Sequence, residues 1–373
     1  MISTAAATSG REIPRHFAPL DGLRGVAILA VVVAHIMEWT YGAAWWGWRG
    51  MAENGVLLFF VLSGFLITSI MFREEAAHRR VDLRAFYMRR ALRLLPALIL
   101  YVGTVAVLKR AGLIRHESWI SVLAALAYLR NIFGHGPALG HLWSLSLEEQ
   151  FYLTWPVLFV LSGRRRLSLI VTILVGMAIW RGGAIALHLT NVVDGHVYSR
   201  PWFRYDSILY GCFVAALRQL RPVGPTPEGA WRILALTVGL SLVAAASAIE
   251  MGSALMPVQV TLASIGMTAL LWYAVTCRAG DPSYAILASR PLVFLGKISY
   301  SLYLWQGLFI ELPSPALGEK AWSRLHSFPL NLVLALLAAV GSHYLLERPF
   351  LRLKRRFERA TLRLEVAPAP PLG

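Results

Sequence analysis

Two ionisable side chains stand in the first long apolar stretch of the sequence, LDGLRGVAILAVVVAHIMEW, at Arg24 and His35. Eleven residues make almost three helical turns, so both side chains project from nearly the same helix face, about 16 Å apart along the axis. Glu38 continues this stripe. A neutral imidazole can take a proton from a hydroxyl at neutral pH, which makes His35 a candidate general base.

Both residues also have a purely structural interpretation. Arg24, taken alone, is equally typical of a basic flank whose side chain reaches the membrane surface. A histidine such as His35 can also join two helices through a hydrogen bond. Because ionisable groups at membrane depth are mostly functional, we favour a functional role for His35.

A pair of arginines, Arg90 and Arg93, opens another apolar stretch within MRRALRLLP. Residues three apart share one face of a helix, and guanidinium groups bind phosphate through two parallel hydrogen bonds. The same cluster is equally typical of a cytoplasmic flank or of a contact with anionic lipid headgroups. Charge alone therefore leaves an anion site and these alternatives open.

The segment HLWSLSLEEQFYLTWP, residues 141–156, contains two adjacent glutamates. Ser146 and Glu149 fit the S-x-x-E capping box that opens a helix, which predicts a structural role for Glu149. Glu148 is not explained by that pattern. It is a candidate for chemistry, or a charge that complements the dipole of the first helical turn.

We expect this helix to begin at the outer face of the membrane. His141, Trp143 and Glu148 would then line an outer mouth suited to a hydroxylated acceptor. Arg204 and Asp206, in WFRYDSILYG, also fall at the outer end of an apolar run. They either belong to the same vestibule or pair with neighbouring groups.

The composition is that of a membrane protein. Of 373 residues, 57% are hydrophobic and only 15% are charged, with a mean hydropathy of +0.57. The net charge of +16 is divided among loops rather than gathered on one soluble face, so we predict a lipid bilayer and not nucleic acid as the partner. Cys212 and Cys277 lie in apolar runs, and we assign neither a disulfide nor a metal.

Apolar runs and arginine-rich loops predict the topology. Eleven runs are long or apolar enough to be considered, but the basic clusters at 73–93 and 164–166 fall on one face only if one of the three runs between them does not cross. We assign this to the shortest run, 119–132, as a short helix at the outer face or a re-entrant segment. We therefore predict an all-α polytopic protein of about ten transmembrane helices with both termini cytoplasmic. Its parts are residues 1–19 as a cytoplasmic segment, 20–350 as the membrane domain and 351–373 as a basic cytoplasmic tail.

Five blocks of sequence occur in a specific order: LDGLRGVAILAVVVAH, FFVLSGFLIT, RRALRLLP, HLWSLSLEEQFYLTWP and GKISYSLYLWQ. They resemble the successive signature blocks of membrane acyltransferase family 3, the family of polysaccharide and lipopolysaccharide O-acetyltransferases. Order and spacing match over about residues 18–350. One block would be weak evidence for the family, whereas five in order are specific.

The resemblance implies a ten-span protein of the bacterial inner membrane that moves an acyl group, usually acetyl, from cytoplasmic acyl-CoA to a glycan or glycolipid hydroxyl on the other side. It assigns catalytic roles to His35 and Glu148 and donor binding to Arg24, Arg90 and Arg93, with no metal. His35 would act as general base or carry the acyl group as a transient acyl-imidazole.

One position departs from the family. After SYSLYLW the family commonly has histidine, and here Gln306 stands in its place, so no acid or base role is carried over to it. The resemblance also implies that acceptor selection rests on the membrane domain or on a separate extracytoplasmic partner protein. The alternative function is a secondary transporter, which would also use intramembrane His, Arg and Glu, but no internal repeat typical of transporters is evident.

Overall fold

The computed structural model describes residues 17–41, 46–114, 116–187, 199–220, 229–249, 253, 255–310 and 324–352. These residues form helices and no strands. Most of the predicted cytoplasmic segment 1–19 and of the basic tail 351–373 lies outside the described residues.

The helices are numbered in chain order. They are α1 Ala18–Tyr41, α2 Trp46–His78, α3 Leu83–Arg110, α4 Trp119–Leu126, α5 Leu142–Ser162, α6 Arg166–Ala186, α7 Pro201–Leu220, α8 Gly229–Ser247, α9 Met256–Val275, α10 Pro282–Leu287, α11 Arg290–Phe309 and α12 Leu330–Gly341. A π-helical segment, Ser342–Glu347, follows α12 directly.

The distribution of apolar and charged side chains is the reverse of that in a soluble protein. Large apolar side chains such as Val107, Leu161 and Ile179 are exposed, whereas charged side chains such as Arg181 and Arg204 are buried. Such a surface is stable against lipid, and helices satisfy their own backbone groups there. The chain is therefore a multi-pass membrane protein.

Seven helical stretches of the described chain are long and apolar enough to cross a membrane. One of them, Leu142–Ala186, joins α5 and α6. The 20-residue helices α7 and α11 are not among the seven, and α7 carries three charged residues. Helix α4 has eight residues, about 12 Å, which is too short to cross. Ten spans and cytoplasmic termini stay a prediction.

Close helix contacts gather α1, α2, α7 and α11 around one centre. A Cβ atom at Gly296 of α11 would lie 1.9 Å from the carbonyl oxygen of Asp21 in α1. A Cβ atom at Gly64 of α2 would lie 1.9 Å from the carbonyl oxygen of Ile208 in α7. Only glycine allows these backbones to approach so closely.

Candidate active site

A central cavity of about 60 Å³ lies between α1, α2, α5 and α11. Its polar lining comes from each of these helices: Arg24, Ser63, Ser144, Glu148, Ser299, Tyr300 and Tyr303. The rest of the lining is apolar and includes Phe59 and Phe60 of α2. A mostly buried chamber with a few convergent polar groups is the usual form of a small-molecule site.

Arg24 contributes a positive charge to the central cavity. Its Nη2 donates to Ser299 Oγ over 3.3 Å. Its Nε is buried and has no hydrogen-bond partner among the described residues. A buried guanidinium with an unused donor can accommodate an anionic group, because an unsatisfied charged donor away from water is costly.

Glu148 provides the carboxylate of the same cavity. It lies two turns into α5 and accepts a hydrogen bond from Ser63 Oγ of α2 over 2.8 Å. Arg90 and Arg24 both interact with it electrostatically. Two opposite charges, Glu148 and Arg24, therefore line one chamber.

Glu149 does not have the role that the capping box predicts. Helix α5 begins at Leu142, so Ser146 lies inside the helix and its Oγ donates to the Leu142 carbonyl. Glu149 instead holds Arg90, whose Nη2 and Nε lie 2.6 and 2.9 Å from Glu149 Oε1. The capping interpretation is wrong because the helix starts five residues earlier, at Leu142, than the S-x-x-E pattern suggests.

Arg90 also lies over the ring of Tyr152, with its guanidinium carbon 3.2 Å from the ring centroid. Arg93 has different surroundings. It interacts electrostatically with Arg24 and Arg90, and no ion pair joins it to a carboxylate among the described residues. Arg93 also interacts electrostatically with Glu347, so Glu148, Glu149 and Glu347 are the carboxylates that balance the three arginines.

His35 lies further along α1 and is not one of the residues that line the central cavity. Its Nδ1 is 2.8 Å from Oε1 of Gln306 on α11. Tyr303, one turn before Gln306, does line the cavity. The structure thus brings Arg24, Arg90, Arg93 and Glu148 together and places His35 apart from this group, beyond Tyr303 and about 16 Å from Arg24 along α1.

His141 and Trp143 both pack against rings that line the central cavity together with Glu148. His141 is buried against the rings of Tyr101 and Tyr303, with centroids 5.7 and 5.4 Å away. Trp143 packs edge-on against Phe60. That His141, Trp143 and Glu148 form a mouth at the outer face of the membrane stays a prediction.

Arg204 and Asp206 belong to two separate buried ion pairs. Arg204 pairs with Glu53 of α2, and its guanidinium carbon lies 5.9 Å from the Trp143 ring centroid. Asp206 pairs with Arg181 of α6 over 2.7 Å. Of the two interpretations left open by the sequence, pairing with neighbouring groups holds for both, and Arg204 also contacts Trp143.

Sequence reasoning missed several lining residues, although their motifs were recognised. Ser63 lies in FFVLSGFLIT, and Ser299, Tyr300 and Tyr303 lie in GKISYSLYLWQ. Hydroxyl-bearing side chains inside those blocks were the signal that could have found them. Among the described residues, no group of three or more His, Cys, Asp or Glu could hold a metal ion. Both cysteines are buried and unpaired.

These observations define a helical membrane protein with an arginine- and glutamate-lined central cavity. Residues 17–348 match a family model described as an acyltransferase domain. The chain belongs to this acyltransferase family, which confirms the resemblance of its five motif blocks.

Curated relatives are similar over most of the chain. YrhL of Bacillus subtilis is 27% identical over 364 residues, covering 90% of this chain and 55% of the relative. The O-acetyltransferase OatA of Staphylococcus aureus is 28% identical, covering 78% and 50%. The peptidoglycan O-acetyltransferase OatA of Listeria monocytogenes is 28% identical, covering 81% and 51%. The chain thus spans about half the length of these relatives. No solved structure matches it.

Proposed function

We propose that this protein is an integral membrane O-acetyltransferase of the bacterial inner membrane. It moves an acetyl group from cytoplasmic acetyl-CoA to a hydroxyl of an extracytoplasmic or lipid-linked glycan. The names of the OatA relatives support acetyl transfer and a cell-wall glycan acceptor. The observation that carries the proposal is the central cavity. It is lined by both the Glu148 carboxylate and the Arg24 guanidinium, whose Nε has no hydrogen-bond partner among the described residues.

The arginines in and beside the cavity are suited to the phosphates of acyl-CoA. Arg24 and Arg93 have the more available charges, since Arg90 is already held by Glu149. Bidentate contacts to phosphate are the strongest that arginine makes. The thioester arm would extend from these arginines through the cavity, past Glu148, toward Tyr303.

His35 would perform the proton transfer at the far end of this path. If the Gln306 amide presents Oε1 to the ring, it accepts from Nδ1–H and places the ring lone pair on Nε2. That nitrogen can take the proton of the acceptor hydroxyl, or attack the thioester carbonyl and carry the acetyl group. Glu148 is the second catalytic group, an acceptor of hydrogen bonds from the reacting molecules.

The test is transfer of label from radiolabelled acetyl-CoA to membrane glycolipids by the purified full-length protein. We expect His35→Ala to lower turnover by about 100-fold or more, the usual effect of a lost general base, with coenzyme binding nearly intact. His326→Ala is the control, because His326 is a buried histidine that bonds the Leu308 carbonyl and does not line the central cavity. Undiminished transfer by His35→Ala would contradict the assignment of His35.

A further inference from the structure

A second polar pocket lies near the start of α2, at the opposite end of this helix from Arg73 and His78. Its polar lining comes from α2, α7, α8 and α9: Glu53, Asn54, Arg204, Ser247 and Gln259. Its volume is about 10 Å³, which is the space of roughly one water-sized group. We call it the anchor pocket.

The anchor pocket is polar but electrically balanced. Arg204 is fully buried and pairs with Glu53, so the two charges cancel. Asn54 Nδ2 donates to Ser247 Oγ over 2.8 Å. Because a charged ligand would leave an uncompensated charge in a buried site, this lining favours a neutral polar ligand.

Gln259 has an unused acceptor in this pocket. Its side chain is only 5% exposed, and its Oε1 has no hydrogen-bond partner among the described residues. A buried acceptor without a donor is costly, and a ligand hydroxyl or amide N–H would remove that cost. The pocket therefore calls for one small hydrogen-bond donor.

The position of the anchor pocket relates it to both parts of the candidate active site. Leu57 lines the anchor pocket, and Phe60, one turn further, lines the central cavity. A Cβ atom at Gly55 of α2 would lie 2.7 Å from Val31 Cγ2 of α1, and His35 follows Val31 by one turn. Because Arg24 lies opposite the later residues of α2 around the central cavity, α1 and α2 run antiparallel. His35 and Glu53 therefore lie at a similar position along the axes of this helix pair.

We propose that the anchor pocket binds a non-reacting hydroxyl or amide N–H of a neutral acceptor sugar, and so positions a second hydroxyl of that sugar for transfer. The inference rests on the proposed function and specifies its acceptor: a neutral, polyhydroxylated group. A sugar has several hydroxyls, and one ring spans the distance of about a helical turn that separates Leu57 from Phe60.

The experiment compares Gln259→Met with wild type in the full-length protein, using chitotetraose, a neutral oligomer of N-acetylglucosamine, as the probe. Methionine has nearly the shape of glutamine but lacks the amide, and its thioether sulfur is only a weak acceptor. We expect the dissociation constant and the KM for chitotetraose to rise about fivefold to tenfold, the usual effect of one lost hydrogen bond, with the KM for acetyl-CoA unchanged. Thermal stability should not fall, because the lost acceptor is unsatisfied.

Asn331→Leu is the matched control. Asn331 on α12 is 1% exposed, its Nδ2 has no hydrogen-bond partner among the described residues, and it lines neither cavity. This variant should bind chitotetraose like wild type. Wild-type protein that does not bind chitotetraose, or Gln259→Met with unchanged affinity, would overturn the anchor pocket. Binding without any acetyl transfer by wild type would instead overturn the proposed function.

Discussion

Arg90 and Arg93 are three residues apart on α3, yet their replacement by alanine should have different consequences. Arg90 is bound by Glu149 through Nη2 and Nε and lies over Tyr152. Removing Arg90 leaves Glu149 without its cation. Breaking a buried pair in this way costs about 3 kcal/mol of unfolding free energy. We take the low end of the usual range because the side chains of Arg90 and Glu149 are still 20% and 14% exposed.

Arg93 has a different electrostatic situation. It interacts with the like charges of Arg24 and Arg90 and with the opposite charge of Glu347, so these effects oppose each other and Arg93→Ala should leave stability nearly unchanged. If Arg93 binds a donor phosphate, the lost charge-assisted contact is worth about 2 kcal/mol, which corresponds to roughly a 30-fold weaker affinity for acetyl-CoA.

Thermal unfolding in detergent and calorimetric titration with coenzyme A would measure the two effects separately. The Arg90→Ala, Glu149→Ala double variant is the control, since removing both partners should cost less than removing Arg90 alone. The reasoning is refuted if Arg93→Ala destabilises the protein as much as Arg90→Ala does, or if it binds coenzyme A with wild-type affinity.

Four further outcomes follow from the same contacts. Gln306→Leu removes the hydrogen bond to His35 and should lower turnover about fivefold to tenfold at unchanged affinity for acetyl-CoA. Gln306→His should retain part of the turnover that Gln306→Leu loses. An unchanged single-turnover rate in Gln306→Leu would contradict the positioning role of Gln306. Glu148→Gln should lower turnover with little change in melting temperature, whereas Glu149→Gln should lower the melting temperature by freeing Arg90; the reverse pattern would exchange their roles. Burial raises the pKa of Glu117, in the loop before α4. The protonated Glu117 side chain therefore stabilises the fold fully below the unfolded pKa of about 4.3, and this contribution is lost as the pH rises through the folded pKa. Glu117→Gln should flatten the pH dependence of the melting temperature between these two pKa values. His135 is exposed and both native cysteines are buried, so His135→Cys should react with an impermeant thiol reagent in intact cells; reaction only with permeant reagents would place this loop inside.

The sequence predicts much of this arrangement because charges in apolar runs are rare and therefore conspicuous. This pattern points to Arg24, Arg90, Arg93 and Glu148; Arg24 and Glu148 line the central cavity, and Arg90 and Arg93 interact electrostatically with them. The helix lengths were less predictable. The apolar block FFVLSGFLIT lies within a helix, α2, that continues to His78, because hydropathy detects the membrane-embedded part and not the polar turns beyond it.

Two relationships could not be predicted from local patterns. His35 and Gln306 are 271 residues apart, so only tertiary packing of α1 on α11 brings them together. Glu149 was assigned to a capping box because four letters of sequence satisfy that motif by chance. Helix α5 begins at Leu142 without a side-chain cap, so no capping pattern marks its start in the sequence.

Because Arg24 and His35 lie on one continuous helix, α1 holds them at a fixed distance from each other. Their separation of about 16 Å along the axis is fixed by the rise of the backbone and does not depend on how neighbouring helices shift. A donor held by its phosphates at Arg24 would therefore present its thioester at His35 only if the connecting arm has the matching extended length. With this arrangement, the length of the coenzyme arm, more than the size of the acyl group, would decide which donors can transfer their acyl group.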